Sequence, residues 1–505
     1  MASLFTGLNT ARSGLMASQT ALDITAQNIS NANTPGYTRQ MLNLTSVGPN
    51  TGGYRLMYNI DRVGNGVNYS GVTQSRDSFL DVRYRNANSE YSGWQGQSDA
   101  LKSIEDIFNE FSGSKTDVSS GLSGQMTGLL NNLQEYQNTP TDTTLPAVIK
   151  SSVDTIAFTV RNDYSSLTDF KSQQMSDLAA TVNGNNTGGG IVSQLGSIAD
   201  LNKQIASYEI TGQKANDLRD QRNVLLDQLS GELNINVTEQ KNGMVTVGIA
   251  SDNTHMLISD NNTVTGLKLN DTQDAVEWDV AGSPAAKVSG GTVDAYLQVI
   301  NGDGSGTGTY GSQGIVYLKN KLNDFAVNFD QLINKFAAED KALPPANPDT
   351  ASTALVNYNP AGDAAATIDL SAGWKSDPSL FAENYTGSSI GNYVGELIGN
   401  LNDSGTVTLN TGNDVPGPVF SGSILDFADS FTGDIATTVN HASSMASSTG
   451  SIVDNLDSQR KAISSVSTDE EGINIVKFQQ SYNASARVIT AINDMLDTLI
   501  NSMAV

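Results

Sequence analysis

Cysteine is absent from all 505 residues, so neither a disulfide frame nor thiol chemistry is available. Only two histidines occur, His255 and His441, which leaves zinc without a ligand set. No apolar run approaches membrane-spanning length, so membrane insertion is not expected. The first residues lack the basic stretch and apolar core of a signal peptide, so any export is expected to use a route that cleaves no such signal. Positive charge is scarce: 28 Lys and Arg stand against 53 Asp and Glu, a net charge of −25. Nothing here would neutralise phosphates, which argues against nucleic acid.

The scarcity is uneven. Twelve arginines occur, ten by Arg222 and two from Arg460 onward, with none between. Over 241–440, 23 acidic residues face 8 lysines, a local net charge of −15. A chain this long exceeds one core, and its two flanks resemble each other more than its middle. The simplest organisation is a helical unit made from both flanks with a second unit inserted.

The flanks read as long helices. Leu4, Leu8, Ala11, Leu15, Ser18, Leu22, Thr25 and Ile29 alternate spacings of four and three. So do Ile475, Phe478, Tyr482, Ser485, Ile489, Ile492, Leu496, Leu499 and Met503. That spacing turns one face toward a partner helix, as in a coiled coil. Residues 1–38 contain only Arg12 and Asp23 as charges, and residues 473–505 only Lys477, Arg487, Asp494 and Asp497. Spacing alone also fits a pair closed within one chain. The lack of a polar outer face favours termini that pack against copies of the chain and stay unordered or loosely paired before assembly. Further seams follow at Leu80, Tyr84, Ala87, Tyr91, Trp94, Ser98 and Leu101, and at Ile452, Leu456, Gln459, Ile463 and Val466.

The middle changes period. Ile235 and Val237, then Val245, Val247 and Ile249, alternate around an Asn242-Gly243 hairpin signal. Met256 to Leu269 repeats the pattern around Asp260-Asn261-Asn262. A helix is predicted over 313–341. The segment 343–424, rich in Gly, Asn, Asp, Pro and Thr, reads as a second β-rich or irregular insertion.

After the first helix, Asn28-Ile29-Ser30-Asn31-Ala32-Asn33-Thr34-Pro35-Gly36-Tyr37-Thr38-Arg39-Gln40 is a helix exit and a tight turn. Pro35-Gly36 is the expected stop for that helix, with Asn31, Ala32, Asn33, Thr34, Pro35, Gly36 and Tyr37 as the turn motif. This segment resembles the amino-terminal signature of the bacterial flagellar axial family of rod, hook and hook-associated proteins. Val466 to Glu471 and Met495 to Asn501 resemble its carboxyl-terminal signature. Within the family, Thr38-Arg39-Gln40 and Asn216-Asp217-Leu218-Arg219-Asp220-Gln221-Arg222 resemble the hook–filament junction branch. The resemblance spans roughly 1–340 and 425–505.

Catalytic signals are weak. Gly306-Thr307-Gly308-Thr309-Tyr310-Gly311 fits the glycine-rich dinucleotide pattern, but no second strand bearing an acid follows. It reads as a flexible loop. Asp271 and Asp274 lack the spacing of a calcium loop. No cofactor and no enzymatic activity are expected. Thr468 with Glu471 reads as a capping box, which needs no further role for the acids.

The expected fold is mainly α with an inserted β-rich domain. It would combine a long-helix bundle, discontinuous helical domains built from both chain ends, and a terminal coiled-coil helix pair. The divisions are 1–45 with 467–505 as the axial terminal-helix domain, 46–234 with 425–466 and helix 313–341 as the bundle, and 235–312 with 342–424 as the outer domain. The candidate assembly interface is Leu4, Leu8, Leu15, Leu22, Ile29, Ile475, Phe478, Tyr482, Ile489, Ile492, Leu496 and Leu499. The resemblance implies a structural subunit exported from the cytosol to the extracellular flagellum, polymerising as a ring that joins hook to filament. Its implied partners are itself, the hook protein, the next hook-associated protein on the filament side, and a cytosolic export chaperone on the C-terminal helix. The alternatives are a rod or hook protein, or a junction protein whose insertion also binds a surface ligand.

Overall fold

The computed structural model describes residues 2–47, 66–109, 121–184, 189–306, 310–335, 354–383, 388–402, 407–408 and 421–502. Helix α1 (Ala2–Ser30) leads through the turn into an antiparallel ribbon, β1 (Gln40–Ser46) with β2 (Val67–Gln74), bulged between Leu42 and Leu44. This ribbon lies where only helix was expected. Much of it is polar and exposed, so it carries little of the apolar alternation that reveals strands in sequence.

Five long helices follow: α2 (Ser78–Asn109), α3 (Leu122–Asn138), α4 (Leu145–Asn183), α5 (Ile191–Glu209) and α6 (Asn216–Glu232). Then β3 (Ile235–Glu239), β4 (Val245–Ile249) and β5 (Asp252–Ile258) form a three-stranded antiparallel sheet. The Asn242-Gly243 turn joins the first two strands as predicted, with Gly243 at φ 83°. The second hairpin reduces to a single bridge, Ile258 with Val264. Instead β6 (Leu267–Leu269) pairs β7 (Val276–Trp278). Helices α7 (Gly291–Asn301) and α8 (Ile315–Lys335) complete this part. The predicted extension of α8 to Lys341 lies outside the described residues.

Within 342–424 the β-rich expectation is corrected. The described residues hold only two-residue strands, β8 (Val356–Asn357), β9 (Asp369–Leu370), β10 (Val407–Thr408) and β11 (Ser421–Gly422), around four helices. These are α9 (Ala364–Thr367), α10 (Ala372–Ser376), α11 (Leu380–Glu383) and α12 (Ser388–Asn402). Ser371 and Trp374 explain part of this: the Ser371 hydroxyl caps α10, and Trp374 is fully buried. Residues 342–353, 384–387, 403–406 and 409–420 of that segment lie outside the described set. Two long helices return, α13 (Ile424–Ser464) and α14 (Thr468–Ser502). Ser423 and Asp426 make a reciprocal capping box at the start of α13.

The apolar side chains form two cores. One joins α3, the first half of α4, α8, residues 355–401 and the start of α13, with Phe325, Phe329 and Trp374 fully buried. The other joins the end of α4 with α5, α6, α7 and strands β3 to β7 around Trp278. Residues 235–297 and 355–401, grouped together in the sequence reading, therefore contribute to different cores. Helix α13 runs along α2, and α14 packs on α1.

Candidate assembly surface and its polar joint

Helices α1 and α14 form an antiparallel pair within one chain. A Cβ at Gly7 would lie 3.4 Å from Ile492 Cδ1, one at Gly14 3.1 Å from Ser485 Oγ, and Asn28 Nδ2 is 3.3 Å from Glu471 Oε2. Residue numbers thus rise on one helix as they fall on the other. Buried positions on α1 include Ala11, Ser18, Ala21, Thr25 and Asn28. Small residues let the backbones approach closely, and Ser18 and Thr25 satisfy their hydroxyls on the carbonyls of Gly14 and Ala21. The three–four spacing is as predicted, but its phase is rotated: Gly14, Ala21 and Asn28 replace Leu15, Leu22 and Ile29.

The predicted leucines therefore flank the seam. Leu8, Leu15, Leu22 and Ile29 are half-buried, as are Ile475, Phe478, Tyr482, Ile489 and Leu496, while Ile492 is buried. The side chains of Leu4 and Leu499 lie outside the described residues. The opposite faces are mixed, and apolar side chains remain uncovered on them: Phe5, Met16, Ile473, Val476, Val488 and Met495 are 46–70 % exposed. Pairing within the chain uses up only part of the apolar surface of the two ends.

The turn after α1 is built differently from the prediction. The helix ends at Ser30, five residues before Pro35, so the dipeptide does not stop it. Gly36 does take φ 80°, and a Cβ there would meet Val224 Cγ2 at 2.2 Å. The turn residues Asn31 to Tyr37 sit against α5 and α6 around a groove of about 550 Å³.

What fixes the turn is a buried polar joint that sequence reasoning missed. Asn28 is 1 % exposed, and all its polar capacity is engaged. It donates to Gln40 O (2.9 Å) and Glu471 Oε2, and accepts from Gln40 N (3.0 Å) and Tyr37 Oη (2.9 Å). Arg39 donates Nε to Glu471 Oε1 at 2.8 Å and pairs Glu470 at 2.9 Å. Thr38 donates both its N–H and its hydroxyl to Asp220, at 2.9 and 2.6 Å. Gln40 reaches Asp217, and Gln74 reaches Asp220. A second layer adds Arg76 on Asp81, then Arg85 and Arg460 sharing Asp227 at 2.7 Å each. Five chain segments more than 400 residues apart at the extremes thus meet in one network.

Electrostatics follows from burial. Burial, then the carboxylates of Asp217, Asp220 and Glu471, push Tyr37 up to about 12, so its hydroxyl stays a neutral donor to Asn28. Burial also raises Asp220 despite its bonds to Thr38. Glu471 contradicts its sequence reading. Ser467 caps α14, its hydroxyl accepting from Glu470 N at 3.4 Å, and the 3 %-exposed Glu471 carboxylate serves the joint. One sequence signal pointed here. Six of the twelve arginines line the joint and its border (Arg39, Arg76, Arg85, Arg219, Arg222 and Arg460).

The glycine-rich loop follows helix α7 where the dinucleotide pattern needs a strand, and it closes on itself through Asp303 N to Tyr310 O and Gly304 N to Ser312 O. Its residues 307–309 lie outside the described set. No cluster of three or more metal-ligating side chains, and no helix long and apolar enough to cross a membrane, occurs among the described residues.

A helix pair built from both chain ends is held to a long-helix body by a polar joint. Matches to known families agree segment by segment. Residues 8–38 match the flagella basal body rod protein family, residues 462–503 the C-terminal family of the flagellar basal body rod FlgEFG proteins, and residues 101–344 the helical domain of flagellar hook-associated protein FlgK. Flagellar hook-associated protein 1 of Bacillus subtilis (strain 168) is 30 % identical over 528 aligned residues, covering 100 % of this chain and 99 % of that one. The protein of that name from Escherichia coli (strain K12) is 25 % identical, covering 98 % and 99 %. The chain belongs to the flagellar hook-associated protein 1 family. Among solved structures, the flagellar hook junction protein FlgK from Burkholderia pseudomallei aligns over 51 % of this chain and 44 % of that one, with 22 % identity and a TM-score of 0.41.

Proposed function

We propose that this protein is the subunit of a ring that joins the flagellar hook to the filament outside the cell, a mechanical adaptor without enzymatic activity. The observation that carries the reading is the α1–α14 pair, closed on one face yet lined with exposed Phe5, Met16, Ile473, Val476, Val488 and Met495 on the others. Such residues on a soluble chain mark a surface awaiting a neighbour. Residues 1–45 and 467–505 form the axial layer, in which the flanking Leu8, Leu15, Leu22, Ile29, Ile475, Phe478, Tyr482, Ile489 and Leu496 widen the contact. Its partners are further copies, the hook protein below and the next hook-associated protein above. Before export a chaperone covers the apolar face of α14 in the helix-in-groove mode.

Imaging cells deleted for the gene tests this. Hooks without filaments, with flagellin released to the medium, is the expected result. Cells without hooks would point to a rod or hook subunit.

A further inference from the structure

The groove of about 550 Å³ beside the turn has two carboxylates in its lining, Asp217 and Asp220, and no basic side chain. Asp220 is buried and bonded to Thr38 and Gln74. Asp217 is exposed, and among the described residues only the Gln40 amide bonds its carboxylate, with no cation. Burial, then Asp217 and Asp220, raise Tyr37 on the same wall, so their negative potential extends over the groove. Leu201, Val224 and Leu225, all half-buried, give it an apolar side. The groove therefore suits an aliphatic contact that ends in a cation.

Such a contact stands on α14. Ile473 and Val476 are 70 % and 53 % exposed. Lys477, one turn from Ile473 on the same face, is exposed and has no carboxylate partner among the described residues. The seam fixes its height: Gly7 meets Ile492, Gly14 meets Ser485 and Asn28 meets Glu471, so Lys477 is level with Leu22. From there to Gln27 on the groove is a rise of about 7.5 Å, which the four-carbon stem of lysine largely spans. Arg487, the other cation on α14, is level with Arg12 and about 22 Å away. Lys477 of the same chain does not line the groove, so the cation has to come from another copy.

We infer that this groove receives the exposed face of α14 from a second copy, with Ile473 and Val476 on its apolar side and the Lys477 ammonium on Asp217. The inference rests on the reading of the chain as a ring subunit, because a ring holds every copy at one height. A contact between two different surfaces at one height passes from copy to copy and can close on itself.

The absence of cysteine makes the contact directly readable. Gln221→Cys on the groove and Ser481→Cys one turn beyond Lys477 leave Asp217 and Lys477 intact. Flagella are isolated from cells complemented with this double variant and treated with a short bismaleimide. A ladder of oligomers linked from position 221 of one copy to position 481 of the next is expected. Adding Lys477→Glu should cut the ladder roughly tenfold, and Asp217→Lys on top should restore it. Flagella that contain the chain but give no such link overturn the inference and leave the ring reading standing. A link from position 221 to a different protein also overturns it, since the groove then has another occupant. Flagella without the chain would remove the ring reading and this inference together. Should the cysteine pair stop filament growth, the charge pair decides on its own. Motility lost in Lys477→Glu and regained with Asp217→Lys supports the contact. Motility unaffected by Lys477→Glu, or not regained in a swap of wild-type Tm, overturns it.

Discussion

At the residue scale, single polar groups with many partners decide how the terminal pair is held. Glu471 accepts from Arg39 and Asn28 in a nearly dry site. Removing it leaves Arg39 with Glu470 alone, which is 61 % exposed and contributes little. Glu471→Ala should therefore loosen α14 by about 3–5 kcal/mol, the usual range for a broken buried pair. Hydrogen exchange along 468–490 checks it, and exchange as slow as wild type would show that apolar packing alone holds the pair. Asp163, 4 % exposed on α4, poses the opposite problem, because burial pushes its carboxyl up to about 8. A carboxyl raised on folding contributes stability below its unfolded value near 4, and that contribution is lost as pH rises through 8. Asp330, raised to about 7 by burial, adds in the same direction. Wild-type Tm should thus fall between pH 5 and pH 8, and Asp163→Asn should shrink the fall. An identical pH dependence in the variant would mean that the folded chain ionises Asp163 without cost.

Elements differ in how far the sequence exposes them. Long helices with apolar residues every three or four positions, α1, α2, α8 and α14, were legible because burial on one face imposes that period. The hairpin at Asn242-Gly243 was legible because its turn needs a positive φ. Helices α9 to α11 were not, since elements of four or five residues are too short to show a period. The joint escaped because hydrogen bonds between Asn28, Arg39, Asp220 and Glu471 follow no spacing along the chain. The phase of the α1 seam escaped for a related reason: sequence marks Leu15 and Leu22 as apolar, whereas close helix approach selects Gly14 and Ala21. That phase separates two kinds of substitution on α14. Ile492→Asp places a charge inside the intrachain seam, where Ile492 is 5 % exposed. It should open the pair at roughly 2–5 kcal/mol, comparable to losing a buried apolar side chain. Ile473→Asp with Val488→Asp changes residues 70 % and 48 % exposed. That double variant should leave the monomer's circular dichroism and Tm within about 1 kcal/mol of wild type and abolish filament growth in complemented cells. Normal filaments from it would place the assembly contact elsewhere.

The whole molecule is a set of stacked cores threaded by shared helices, and this coupling is itself testable. Helix α4 supplies Ile149 to Leu167 to one core and Leu178 and Val182 to the other. Helix α7 shares the task, Val299 facing the first core and Ile300 the second. An element common to both cores makes loosening of either felt by its neighbour, so wild type should unfold in one calorimetric transition. Between the two sets α4 is partly exposed, and the exposed Ser172 is bonded through its hydroxyl to the Thr168 carbonyl at 3.0 Å. Proline at 172 removes the backbone donor to Thr168 and crowds that carbonyl, costing about 3 kcal/mol without touching either core. Ser172→Pro should therefore split the melt into two transitions while each core keeps its packing. Adding Phe325→Ala, which cuts only the first core, should then move one transition and leave the other in place. A single transition shifted as a whole in Ser172→Pro would mean that α7 and the α2–α13 contacts couple the cores without α4.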